Sequence, residues 1–279
     1  MAASGTTRLG RLRPLLGTLV GTMWLAVGLL APTTSSAAEA CKQLIVTGNP
    51  EYPPYLWRDP ADESRLIGAN ADLMQLVAKE LGVGIAMRYG GPWARVQEEV
   101  RAGRADMIAG AFFTLPRLDY MDYFHPAFRD TRSVIWTRES HRIKYAKWAD
   151  LKGLLGVTVI NNSFGEDFDR YAKESLKITT VASLEQSLKM LKSARADYLI
   201  YEEDPGLAYA AKLGINGLRT VSRAISNESL YVTMSHKSAC NTGELRGRLS
   251  RALYTLNRQG VMNKLVETNI QLWRQQATK

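Results

Sequence analysis

The sequence predicts an α/β fold of two lobes, in which each lobe is a mostly parallel sheet flanked by helices. Apolar runs typical of buried strands alternate with segments whose apolar residues recur at helical spacing, and this alternation favours parallel strands joined by helices. The alternation occurs once before residue 128 and again after residue 155, with no low-complexity linker between. Two lobes of roughly a hundred residues each would leave a cleft between them.

The first lobe is predicted to begin with a buried strand over Leu44–Thr47, an uninterrupted apolar run. Apolar residues at helical spacing continue to Leu81, and Gly82 is suited to end that helix. Pro92 is suited to the start of the next helix, which Gly103 closes. These elements make one complete α/β unit.

The second lobe is predicted from a similar order of elements. Leu155–Ile160 and Asp197–Tyr201 have the apolar runs of strands, and Gly165–Ser175 has the pattern of a helix. Ser183 and Gln186 have the spacing of a capping box, so another helix should begin at that point.

The C-terminal segment resumes the pattern of the first unit. Leu230–Met234 alternates weakly, as a half-buried strand does. Asn241 with Glu244 predicts a capped helix after this strand, and Val261–Trp273 is predicted to be the last helix.

The first 38 residues have the features of a secretory signal peptide. Three arginines without an acidic residue precede an apolar run over Leu15–Leu30, and small residues follow up to Ala38. The run is shorter than the roughly twenty residues that a spanning helix needs. Cleavage is expected after Ala38, with Ala40 as the alternative. Lipid attachment at Cys41 is also open, although Ala38 stands where a lipoprotein signal has leucine. We expect an exported, periplasmic protein.

Charge and composition exclude several classes of function. Removing the three signal-peptide arginines lowers the formal net charge from +9 to +6, and no basic stretch is interleaved with aromatic residues, so nucleic-acid binding is not expected. Cys41 and Cys240 in an oxidising compartment favour one disulfide, with two free thiols as the alternative. His125, His141 and His236 are isolated, so no metal site is expected.

One arginine lies where a helix is predicted to begin. Ala105–Gly110 has the pattern of a buried strand and Thr114 is a suitable N-cap, which places Arg117 in the first turn. The helix dipole disfavours a cation there by a few tenths of a kcal/mol, roughly. A bound anion would remove this penalty, and Asp119 or Asp122 within the chain is the alternative.

Five segments, taken in order, carry a resemblance to a known family. The segments are EYPPYLW (51–57), IGANADLMQLVAKELGV (67–83), GRADMIAGAFFTLPR (103–117), LKGLLGVTVINNSFGEDF (151–168) and ARADYLIYEEDP (194–205). Each alone is weakly specific, but their order and spacing resemble the family 3 periplasmic solute-binding proteins that serve amino-acid uptake transporters. The resemblance covers residues 42–275.

The resemblance implies a two-lobed periplasmic-binding-protein clamp that closes on a small ligand. Strand-like hinge crossings are expected near Arg129–Arg132 and near Ser226–Glu228. Lobe 1 is then discontinuous, over residues 39–130 and 228–279, and lobe 2 covers residues 131–227.

The resemblance also implies one half of a ligand site in lobe 1. In the family, the arginine of a T-x-x-R pattern holds the α-carboxylate of the ligand, and Thr114 with Arg117 matches this pattern. A guanidinium suits the role because it can donate two parallel hydrogen bonds to a carboxylate. Backbone donors near Gly110 and Phe112 are expected to complete this half.

In lobe 2, the family has a small hydroxyl residue at a helix start, and Asn162, Ser163 and Phe164 occupy that place. Amides at a helix start favour carboxylate oxygens. Asn162 replaces the usual glycine and tolerates left-handed backbone angles better than most residues. Ser163 as a simple N-cap is the alternative.

The ligand amino group in the family commonly meets an aspartate, and Glu202 stands at that position. Glutamate keeps the negative charge and reaches about one methylene further. Because Glu203 and Asp204 follow directly, a solvated acidic turn is the alternative for Glu202.

Aromatic residues are expected to flank the ligand side chain. Tyr52 and Trp93 match family positions on the lobe 1 wall, with core packing as their alternative. Phe112 stands where many amino-acid binders have threonine, and Gly48 stands near the acid that recognises polar side chains in some members. These departures weaken an assignment to glutamine, arginine or lysine.

The sequence therefore predicts a non-enzymatic periplasmic component of an ABC uptake transporter, which captures a small carboxylate ligand, an amino acid for preference. The expected partners are this ligand and a membrane permease, and the expected state is a monomer without cofactor, metal or catalytic residue. One alternative is an enzyme resembling the periplasmic cyclohexadienyl dehydratases, with Glu202 as proton donor. Another is a soluble sensing module for a membrane receptor.

Overall fold

A computed structural model of the chain describes residues 41–277, and every structural statement below concerns these residues. The predicted signal peptide over residues 1–38 and both candidate cleavage sites lie outside them. No helix of residues 41–277 is long and apolar enough to cross a membrane.

Strands and helices alternate along most of the described chain. The strands are β1 Gln43–Thr47, β2 Glu51–Tyr52, β3 Leu56–Arg58, β4 Leu66–Ile67, β5 Gly84–Met87, β6 Met107–Phe112, β7 Met121–Arg138, β8 Leu155–Val159, β9 Lys177–Val181, β10 Tyr198–Glu202 and β11 Leu218–Ser235. The helices are α1 Ala69–Leu81, α2 Trp93–Arg101, α3 Leu115–Leu118, α4 Glu166–Ser175, α5 Leu184–Lys192, α6 Glu203–Lys212, α7 Gly243–Arg258 and α8 Val261–Ala277, with a 3₁₀ turn at Trp148–Leu151.

Eight strands form one mixed sheet in the order β5-β1-β6-β11-β7-β10-β8-β9. The strands at each end are parallel: β1 pairs with β5 and β6, and β8 pairs with β9 and β10. The central strands β7 and β11 are antiparallel to each other and to their neighbours. The predicted α/β class, with mostly parallel strands flanked by helices, is confirmed.

The two central strands are much longer than the sequence pattern predicted. Each has 18 residues, and their pairing places Thr131 opposite Glu228 and Arg132 opposite Asn227. Only Leu230–Met234 of β11 had a strand pattern, because register shifts in both long strands break the regular alternation that marks a strand. The two predicted hinge crossings are thus paired side by side, and the division into lobes at these crossings stays a prediction.

One predicted helix cap is correct and one is wrong. Ser183 begins α5, and its hydroxyl accepts a hydrogen bond of 3.1 Å from the backbone amide three residues on. The predicted cap Asn241 is not the N-cap of α7; Thr242 is, since its hydroxyl accepts from the amide of Leu245 at 3.2 Å. The Asn241 amide instead donates to Asp122 at 2.9 Å, a partner far away in sequence.

The two cysteines form the predicted disulfide. Cys41 and Cys240 are bonded, with Cα atoms 5.3 Å apart and a sequence separation of 199 residues. The bond joins the segment before β1 to the segment before α7, so it ties together two parts of the predicted first lobe.

Candidate functional site

A central cavity is lined by most of the residues predicted to bind a ligand. Its lining residues are Asn49, Tyr52, Trp93, Gly110, Ala111, Phe112, Arg117, Asn162, Glu202 and Leu230. The predicted residues Thr114, Ser163 and Phe164 do not line it.

The topology of the sheet explains why these residues meet. Asn49 follows the carboxyl end of β1, Phe112 ends β6, Asn162 follows β8, and Glu202 ends β10. The carboxyl ends of parallel strands in an open α/β sheet leave a crevice beyond the sheet, which is the usual ligand site of such folds. Trp93 is added by the first turn of α2.

Arg117 is buried beside the cavity, with 5% of its surface exposed. Its Nη1 donates to the Phe112 carbonyl at 2.8 Å and its Nη2 donates to the Asn161 carbonyl at 3.2 Å. The guanidinium lies 5.3 Å from the centre of the Trp93 ring. None of the ion pairs within residues 41–277 includes Arg117. The cation is therefore held by carbonyl oxygens and an aromatic face, and no acid contacts it directly, although its charge acts to lower the pKa of both Asp169 and Glu202.

The local helix around Arg117 is shorter than predicted. The helix Leu115–Leu118 has four residues and Thr114 is its N-cap, without a side-chain hydrogen bond. One turn has little macrodipole, so the expected penalty for a cation at this position carries little weight. Asp122 does not neutralise Arg117 either, because it lies against His236 and Arg246.

The Asn161 carbonyl is a feature that the sequence did not reveal. It accepts hydrogen bonds from Arg117, from the Trp93 indole nitrogen at 3.1 Å and from the Gln97 amide at 3.2 Å. Asn161 has a positive φ of 59°, which asparagine tolerates better than most residues. An asparagine after a predicted strand was the only sequence feature that indicated an unusual backbone here. It does not reveal that the carbonyl has three partners that are remote in sequence.

Glu202 is the acid of the cavity. It is 1% exposed, and its Oε2 has no hydrogen-bond partner within the described residues. Burial raises the pKa of this carboxyl from 4.5 to about 8, although the neighbouring Asn162 amide and Arg117 act to lower the pKa. Glu202 thus favours its protonated form at neutral pH.

The acids that follow Glu202 face elsewhere. Glu203 forms an ion pair with Arg132, with 2.5 Å between Nη1 and Oε2. Asp204 accepts a hydrogen bond of 3.1 Å from the Tyr55 hydroxyl. Glu203 and Asp204 thus have partners of their own, and because Glu202 is 1% exposed, a solvated acidic turn does not describe its position.

Three buried polar atoms on the cavity wall have no hydrogen-bond partner within residues 41–277. They are the Tyr52 hydroxyl, the Asn162 side-chain nitrogen and Glu202 Oε2. The Asn162 amide lies close enough to Glu202 to lower its pKa, and Tyr52 is similarly close to Thr131, but neither contact has the geometry of a full hydrogen bond. Buried polar groups in folded proteins are almost always hydrogen-bonded, so such a cluster is typical of a site that a polar ligand completes. The Asn162 amide nitrogen can therefore donate a hydrogen bond to a ligand, and the Tyr52 hydroxyl and a protonated Glu202 can each donate or accept one.

The hydroxyl and amide groups just before α4 are hydrogen-bonded to a carboxylate of the chain itself. The Ser163 hydroxyl donates to Asp169 Oδ2, and the Phe164 amide donates to Asp169 Oδ1 at 2.9 Å. Burial raises the pKa of Asp169, and these two hydrogen bonds oppose that rise. The groups predicted to meet a ligand carboxylate thus already meet a carboxylate of the chain. Phe164 packs against Phe168 in a small hydrophobic cluster away from the cavity.

Residues 44–271 match the sequence model of the bacterial extracellular solute-binding proteins, family 3. The chain belongs to this family. The resemblance inferred from the five segments is thereby confirmed. No curated protein sequence matches this solute-binding protein.

Solved structures show the fold of this solute-binding protein. A histidine kinase sensor domain with similarity to periplasmic binding proteins has a TM-score of 0.71 and 21% identity, over 82% of this chain and 96% of that one. AbpA of Streptococcus pneumoniae, an amino acid ABC transporter substrate-binding protein bound to L-arginine, has a TM-score of 0.69 and 20% identity, over 83% of this chain and 96% of that one. A mutant of ArgBP from T. maritima has a TM-score of 0.68 and 19% identity, over 82% of this chain and 96% of that one. The fold is therefore that of the periplasmic binding proteins.

Proposed function

We propose that this protein captures a small ligand with both a carboxylate and an amino group in the periplasm and delivers it to the permease of an ABC uptake transporter. An α-amino acid is the simplest such ligand. The protein acts by binding alone and transforms no substrate.

The observation that carries this proposal is a pair of buried charge-bearing groups, neither of which forms an ion pair within the described residues. Arg117 and Glu202 line the same cavity, both are at most 5% exposed, and neither forms an ion pair within residues 41–277. An unpaired buried charge is costly, whereas a paired and hydrogen-bonded one is tolerated. A zwitterion would pair its carboxylate with Arg117, which has further N–H donors, and its ammonium with an ionised Glu202.

The proposed mechanism is closure of the two predicted lobes on this ligand. Tyr52, Trp93 and Arg117 belong to predicted lobe 1, whereas Asn162 and Glu202 belong to predicted lobe 2, and all five line one cavity. A ligand that contacts both walls binds the closed form better than an open one, so it shifts the population towards closure. The pairing of β7 with β11 at both crossings supplies a hinge for this motion.

Isothermal titration of purified protein with α-amino acids tests the proposal, with Arg117→Ala as the main variant. This change should weaken binding by about 2 to 5 kcal/mol, because it leaves a desolvated carboxylate unpaired. Arg138→Ala is a matched control, since Arg138 also donates to two backbone carbonyls but does not line the cavity. Equal affinity of the Arg117 variant and the unaltered protein would refute the carboxylate assignment.

A second candidate function is ligand sensing for a membrane receptor. The similarity in fold to a histidine kinase sensor domain, with a TM-score of 0.71, favours it. A sensor would use the same cavity contacts, so ligand binding does not distinguish the two functions. Binding of the ligand-loaded protein to a permease complex rather than to a receptor ectodomain would support uptake, and the reverse would support sensing.

A further inference from the structure

The cavity wall is uncharged apart from Arg117 and Glu202. Phe112 of β6 lies opposite Leu230 of β11 in the sheet, and both side chains line the cavity together with Ala111. The remaining wall consists of aromatic rings, amides and a glycine backbone. Each of the two charged groups has a counterpart on the main-chain part of an α-amino acid, so the wall has no further charge for a ligand side chain.

Two acids outside the cavity, Glu51 and Asp169, are already engaged within the protein. The Glu51 carboxylate accepts a hydrogen bond of 2.7 Å from the amide of Leu184. The Asp169 carboxylate accepts from Ser163 and from Phe164, as described above. Neither acid lines the cavity, so neither can pair with a second cation on the ligand without losing these partners.

Asn49 is a neutral residue of the cavity wall at a position where an aspartate of nearly the same shape would add a negative charge. Its Nδ2 donates to the Tyr201 hydroxyl at 3.1 Å, and its Oδ1 accepts from the Glu51 amide at 3.0 Å. These contacts hold the side chain in place as a neutral amide. A carboxylate at this position would face the same cavity with almost the same shape.

Bulky side chains also restrict the cavity. Phe112, Leu230 and Trp93 line it and are each at most 5% exposed. A compact apolar side chain suits this bulky, apolar lining.

We propose that the cavity selects α-amino acids with a compact, uncharged side chain and rejects those with a charged one. The inference rests on the proposed function and names the ligand class of the same site. Its physical reason is that a second charge would be buried against apolar walls without a partner, which costs more than any contact the wall offers in return.

Calorimetric titration of the purified protein, refolded from denaturant to remove copurified ligand, tests the inference with L-leucine, L-valine, L-arginine and L-glutamate. We expect the dissociation constant of leucine or valine to be at least about a hundredfold lower than those of the charged pair. Binding of arginine or glutamate within tenfold of the better neutral amino acid would overturn the selectivity and leave the proposed function standing. Absence of binding by all four would count against both.

A substitution at Asn49 tests the cause of the selectivity. Asn49→Asp adds an acid to the wall with little change of shape, and Asn49→Ser is the matched neutral control. The aspartate variant should raise arginine affinity relative to leucine by about tenfold or more, and the serine variant should leave the ratio unchanged. Thermal unfolding of both variants verifies that they are folded. An unchanged ratio in the folded aspartate variant would contradict the proposed origin of the selectivity.

Discussion

Glu202→Gln should remove a large pH dependence from the stability of the ligand-free protein. Glutamine keeps the shape of the side chain but does not titrate. The carboxyl of Glu202 is 1% exposed, and its pKa is raised from 4.5 to about 8 in the folded protein, chiefly because burial disfavours the charged form. Ligand must be absent, because an ammonium beside this carboxyl would lower its pKa.

The sign of the effect follows from which state keeps the proton. Below about pH 4.5, Glu202 is protonated in both the folded and the unfolded chain, and its stabilising contribution is complete. Between this pH and about 8, the unfolded chain loses the proton while the folded protein keeps it, so stability falls as the pH rises. At about 1.4 kcal/mol per pH unit, the loss is of the order of 5 kcal/mol.

Guanidinium unfolding at several pH values between 5 and 9 measures this loss as a free energy of unfolding. We expect the unaltered protein to lose stability across this range relative to Glu202→Gln, so that the difference between the two curves widens up to about pH 8. Tyr52→Phe is the control, because it removes a hydroxyl from the same cavity and burial raises the pKa of Tyr52 above its ordinary value of 10.0. Parallel curves for the unaltered protein and Glu202→Gln would refute the reasoning.

Two further predictions concern the frame around the cavity. Replacing Cys41 and Cys240 by serine should lower the free energy of unfolding by about 5 kcal/mol, because the loop that their bond closes spans 199 residues, and unchanged denaturant midpoints would contradict this. Gln97→Ala should weaken ligand binding about fivefold, since it removes one hydrogen bond of about 1 kcal/mol from the Asn161 carbonyl. Because Gln97 does not line the cavity, equal dissociation constants would show that this contact does not support closure.

Local patterns in the sequence predicted the shorter elements well. The helix ending at Gly82, the helix after Pro92 and the cap at Ser183 all occur close to their predicted positions. Periodicity, proline, glycine and capping residues act over a few positions along the chain, so their effect is visible without the fold. The error at Asn241 has the opposite cause, because its side chain bonds to Asp122, 119 residues away.

The candidate site was predicted in residue type and only partly in arrangement. Arg117 and Glu202 were identified because their segments resemble the family, and both line the cavity. Ser163 was expected to face a ligand, but it bonds to Asp169, an interaction that the sequence pattern did not single out. The contact of Asn161 with Gln97 joins residues 64 positions apart, and no local pattern indicates it.

The sequence by itself thus determined the fold class, the family and the identity of the two charged residues, because periodicity and ordered motifs are properties of the chain. Only the tertiary structure decided that Arg117 and Glu202 are buried in one cavity without acidic or basic partners, and that the remaining wall is neutral. Burial and pairing depend on segments that the sheet brings together at the carboxyl ends of its strands. These non-local contacts set the charge and size of the ligand that the cavity can accept.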